Sequence, residues 1–135
     1  MECRAQAIAV NGGNQTITIT TAVAGAEPTS VMNTSCTLSY QKQSVLSKIS
    51  VSTSCPGQRF GLNVLATSVT NGTAAPSVTL SNGNPATDLI TSIPKTGPKT
   101  GTCTLQFRAS ATFAQGNSTD LGPDVHNITY TILAQ

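Results

Sequence analysis

Cys103-Thr-Leu-Gln-Phe-Arg-Ala-Ser-Ala-Thr-Phe-Ala114 constrains the fold more than any other stretch of the chain. Cys103, Leu105, Phe107, Ala109, Ala111 and Phe113 alternate strictly with Thr104, Gln106, Arg108, Ser110 and Thr112. Successive side chains of an extended chain point to opposite faces, so this pattern predicts a long strand with one buried and one wet face. It holds two of the three Phe residues and one of the four Cys. It is therefore expected to be the central strand against which the rest packs.

The same reading extends along the chain. Short candidate strands are Arg4–Val10, Gln15–Ala24, Val31–Gln41, Val45–Ser54, Arg59–Val69, Pro76–Ser81, Ala86–Ile93 and Val125–Ala134. Between them lie Asn11–Asn14, Pro56-Gly57, Asn71-Gly72, Asn82-Gly83 and the Pro/Gly-rich loop Pro94–Gly101, all turn or breaker signals. No stretch sustains a 3.6-residue period, so helix is expected to be minimal. Eight or nine mostly antiparallel strands with this punctuation predict an all-β, two-sheet sandwich of immunoglobulin-like type. At 135 residues, 1–135 is expected to be a single domain, with 1–24 as an N-terminal strand arm. Val125–Ala134 is expected to pair with the central strand.

Only 9% of the residues are charged, against about 25% in ordinary soluble domains, so Thr, Ser and Asn must supply the polar surface. The seven Lys and Arg are scattered and form no basic cluster with interleaved aromatics, which argues against a nucleic-acid partner. No apolar run approaches the ~18 residues of a membrane span. Met1 followed by Glu-Cys-Arg has no signal-peptide character and reads as an initiator on a mature chain.

The cysteines, Cys3, Cys36, Cys55 and Cys103, lack the clustered spacing of a zinc site, and the chain has one His. Two disulfides in an oxidising compartment are expected instead. Three pairings are open. A hairpin register that sets Tyr40 opposite Val51 also sets Cys36 opposite Cys55, which favours Cys36–Cys55 and leaves Cys3–Cys103.

Each candidate catalytic constellation has a plainer structural reading. Asp124 and His126 share a strand face, but no Gly-x-Ser-x-Gly accompanies them, and an exposed His at a strand start is the simpler reading. Lys-Thr-Gly occurs at 95–97 and 99–101 and Ser39-Tyr-Gln-Lys42 matches Ser-x-x-Lys, yet Ser-Asp-Asn is absent and Ser39 falls in a strand. Asn117–Asp124 has oxygen ligands enough for calcium but not the EF-hand spacing. Five Asn-x-Ser/Thr sequons, at Asn14, Asn33, Asn71, Asn117 and Asn127, are only mildly more than this composition yields by chance. No catalytic, cofactor or metal residue is assigned, and no enzyme activity or small-molecule substrate is expected.

Thr104–Phe113, a polar loop and then Asp124-Val-His-Asn-Ile-Thr-Tyr-Thr-Ile-Leu133 resemble the C-terminal strand pair of secreted bacterial immunoglobulin-like domains, many of them fimbrial, pilin-type subunits. The resemblance covers the last third of the chain. It implies an extracellular structural role in a surface filament or pilus, with self-association by strand addition, for which Ala5–Val23 offers alternating apolar residues. A secreted adhesin that recognises a protein or carbohydrate through its loops is the alternative.

Overall fold

The computed structural model describes residues 8–12, 17–18, 29–112 and 124–135. The described residues form nine strands and no helix: β1 (Ile8–Asn11), β2 (Val31–Gln41), β3 (Ser47–Ser54), β4 (Gly61–Thr67), β5 (Thr73–Ala74), β6 (Val78–Thr79), β7 (Thr87–Ile93), β8 (Thr100–Ser110) and β9 (Asn127–Ala134). They make two antiparallel sheets, ordered β1-β2-β8-β4-β6 and β5-β7-β3-β9. The expected two-sheet sandwich is what the chain forms.

β8 is the middle strand of the larger sheet. Its alternation is realised residue by residue: Cys103, Leu105, Phe107, Ala109 and the following Ala111 are buried, while Thr102, Arg108 and Ser110 are exposed. Across it, Leu38 meets Cys103 and Cys36 meets Leu105 on β2, and Ala66 and Val64 of β4 meet Leu105 and Phe107. The second sheet answers with Ile49 and Val51 of β3 and Leu89, Ile90 and Ile93 of β7, all fully buried. In β7 the run Leu-Ile-Thr-Ser-Ile breaks the two-residue period. The register against β3 shifts twice there, and Ser92 takes a positive φ of 57°, so the bulged strand returns Ile93 to the core.

Two expected pairings do not occur. The hairpin of Val31–Gln41 with Val45–Ser54 is absent: β2 pairs with β1 and β8, whereas β3 pairs with β7 and β9. Both strands bury one face, and they lie in opposite layers rather than side by side. The intervening Lys42-Gln-Ser-Val-Leu46 has none of the Gly, Asn or Asp chemistry that a tight hairpin needs, and it carries the chain from one sheet to the other. Nor does β9 join β8: it belongs to the other layer and pairs along its whole length with β3, from Ser47↔Ala134 to Ser54↔Asn127.

The disulfide expectation changes with the pairing. Cys36 lies beside Tyr130, which is in register with Val51. Cys55 is four residues further along the same strand direction, about 13 Å at the rise of an extended chain, which is beyond the reach of a disulfide. No disulfide joins any two of Cys36, Cys55 and Cys103. The Cys3 half of the Cys3–Cys103 pairing lies outside the described residues, as do most of the 1–24 arm and the sequons at Asn14 and Asn117. The strand described in that arm, β1, pairs with β2 in its own chain.

Candidate functional site

Two regions stand apart from the ordinary core. One is the free side of β9. Like every outermost strand it directs alternate backbone N–H and C=O groups away from its partner. Among the described residues β9 pairs only with β3, through eight consecutive register positions without a bulge. Its sequence, Asn-Ile-Thr-Tyr-Thr-Ile-Leu-Ala, contains no charge and no Pro. The other outer strands are shorter: four residues in β1 and two each in β5 and β6. Ile128, Tyr130 and Ile132 point to the core but are only half-buried, and β1 is the strand that lies against β9 across the layers. On the outward face Leu133 and Leu46 remain exposed, and the Gln135 N–H donates to Leu46 O at 2.9 Å, extending the β3–β9 ladder.

The other region is at the opposite end of β9, where the chain enters it. Cys55, just past the end of β3, meets Asp124 and His126, just before the start of β9. The Cys sulfur, a carboxylate oxygen and an imidazole nitrogen all lie within 4.8 Å of one another. The β3–β9 register, which brings Ser54 to Asn127, is what joins these distant parts of the sequence.

Each side chain is held by its own contacts. Asp124 Oδ2 accepts the backbone N–H groups of Arg59 and Phe60 at 2.8 and 2.7 Å, fixing the segment after Pro56-Gly57. The Cys55 N–H donates to Asn82 Oδ1 at 2.9 Å and the Thr53 N–H to Asn84 Oδ1 at 2.9 Å, so the Asn82-Gly83-Asn84 turn braces the end of β3. His126 Nδ1 lies 3.0 Å from Thr53 Oγ1. The same Thr53 hydroxyl lies 3.5 Å from Asn127 O, so it ties the imidazole to the start of β9.

The electrostatics favour the neutral forms. Burial pushes the Cys55 thiol up, the Asp124 carboxylate adds to this, and the Val125 N–H opposes it. Burial lowers His126, with Asp124 pulling the other way. At 1% exposure and with a raised pKa, Cys55 lacks the accessible thiolate that nucleophilic chemistry requires. A thiol, a carboxylate and a neutral imidazole on braced backbone can instead take a cation.

Of the residues singled out by sequence, Asp124 and His126 do converge, and the cysteine they meet is one that the sequence pattern places in a disulfide. The signal available in the sequence is the i, i+2 phase of Asp124 and His126; the position of Cys55 depends on strand pairing. Asn71 is buried rather than an exposed turn residue: the Tyr40 hydroxyl donates to its carbonyl, and its own Nδ2 donates to Pro98 O at 3.3 Å. Its sequon is accordingly closed to a glycan in the folded chain. No family model, no curated protein and no solved structure matches the chain.

Proposed function

We propose that this protein is an extracellular structural subunit that assembles with further copies by strand addition at β9. The observation that carries the reading is the character of that edge. Long, flat outer strands template further pairing, and folded proteins blunt them with Lys, Pro, bulges or brevity. β1, β5 and β6 are blunted by brevity, whereas β9 has none of these devices over its eight residues. An added strand would gain backbone hydrogen bonds along the edge and would lay alternate side chains beside Leu133 on one face and the half-buried Ile128, Tyr130 and Ile132 on the other. The sparsely charged, Thr-rich sequence and the pilin-type resemblance of the Thr104–Leu133 region support the same surface-filament role.

Sedimentation velocity over a concentration series, with negative-stain microscopy of the concentrated sample, tests this. The expected result is concentration-dependent multimers that Thr129→Lys/Thr131→Lys disperses, since both residues are exposed on the edge strand. A wild-type chain that stays monomeric at high concentration would refute the proposal, as would multimers unaffected by the two lysines.

A further inference from the structure

We infer that Cys55, Asp124 and His126 form a binding site for a divalent transition metal of the zinc type. The donor set is a thiolate, an imidazole nitrogen and a carboxylate oxygen, which suits a borderline-soft cation and not calcium or magnesium. Three ligands in a tetrahedron around zinc lie about 3.3–3.7 Å apart, given bonds of about 2.0–2.3 Å. The donor atoms already lie within 4.8 Å of one another, so the widest pair closes by about 1 Å through side-chain rotation.

Three further observations point the same way. Asp124 Oδ2 is engaged by two backbone N–H groups, which orients the carboxylate and leaves Oδ1 for a cation. Thr53 holds Nδ1 of His126, the kind of outer contact that fixes a ligating imidazole. Neither Cys36 nor Cys103 can take the Cys55 sulfur into a disulfide, because both lie beside Tyr130 further down the sandwich. Bound metal would neutralise the thiolate and carboxylate together. It would also join the end of β3, the entry to β9 and the segment that leads into β4.

Titration of the reduced full-length chain with Co²⁺ reads this site directly. One equivalent per chain is expected to give the cobalt–thiolate charge-transfer band, and Zn²⁺ is expected to abolish it mole for mole. Cys55→Ser should remove the band, while Cys103→Ser should leave the titration unchanged. Thr53→Val, which deletes the hydroxyl's contacts to His126 Nδ1 and Asn127 O and leaves the three proposed ligands in place, should weaken binding about tenfold or more. Far-UV circular dichroism identifies any variant that has not folded; should Cys55→Ser fail, His126→Gln, at a half-buried position outside the strand, carries the same test. The inference is overturned if no Co²⁺ is taken up at stoichiometric concentrations, or if a folded Cys55→Ser or His126→Gln chain titrates like the parent. It also falls if peptide mapping of the native protein finds Cys55 in a disulfide with Cys3. The site does not depend on assembly: Thr129→Lys/Thr131→Lys is expected to bind Co²⁺ like the parent chain.

Discussion

Gly101→Ala should damage this fold far more than its one added methyl suggests. Gly101 is buried in β8 and in register with Tyr40 of β2. A Cβ at this position would lie 2.6 Å from Tyr40 Cε2, 2.7 Å from Tyr40 Cζ and 2.7 Å from Asn71 Cβ. None of these neighbours is the loose end of a flexible side chain. The Tyr40 ring is 2% exposed, its hydroxyl donates to Asn71 O, and Asn71 is itself tied to Pro98 O. Overpacking of this kind costs about 1–3 kcal/mol. Displacing the ring also strips the buried Asn71 carbonyl of its donor, another ~1–3 kcal/mol. The expected loss is therefore about 2–6 kcal/mol, read from urea unfolding followed by circular dichroism. A double-mutant cycle isolates the cause. Tyr40→Ala alone should cost about 3–5 kcal/mol. Adding Gly101→Ala to it should then be neutral or stabilising by up to about 1 kcal/mol, because Asn71 can relax into the vacated space and the unfolded chain loses freedom. Were Gly101→Ala to cost the same in both backgrounds, or under about 0.5 kcal/mol in the parent, the steric argument would be wrong.

Two other outcomes are expected. Burial raises Cys103 from 9.0 to about 11 and Tyr40 from 10.0 to about 12. Because the folded values lie above the unfolded ones, their contribution is complete below about pH 9 and is lost as pH rises from about 9 to about 12, by at most about 3 kcal/mol per group. Urea midpoints measured from about pH 8 to about pH 11 should fall, and a flat profile would contradict the burial of both groups. Leu105→Ala, at a fully buried position between Cys36 and Ala66, should cost about 3–4 kcal/mol, whereas Leu133→Ala on the exposed face should cost under about 0.5 kcal/mol in the same assay.

Alternation is the most legible signal in this chain, and it reports which face of a strand is buried rather than which strand lies beside it. It assigns Cys103 to Ala111 to the core by itself, because each odd residue is apolar and each even one polar. It does not assign the partner of that strand, since β2, β4 and β9 all present a suitable half-apolar pattern. The β2–β3 hairpin fails on this point: two strands joined by a short loop and buried on one face fit side by side or face to face equally well by pattern. β7 hides its face because a bulge and a positive φ at Ser92, both tertiary outcomes, restore a period that the sequence breaks. The Cys55–Asp124–His126 cluster is half legible. Asp124 and His126 share a phase in any extended segment, but Cys55 reaches them only through the register of β3 with β9.

That register also sets the order of events in folding. Among the described residues, apart from β1 with β2, every paired strand meets one that is not its neighbour in sequence, and β3 must wait for β9. Loop-closure entropy precedes the reward in such topologies, and all-β sandwiches dominated by distant pairings fold in milliseconds to seconds. Until β9 arrives, β3 displays an open edge lined by Ile49 and Val51. A polypeptide made from its N-terminus thus keeps this edge uncovered until its last strand is made. The strand that finally covers this edge presents the next one.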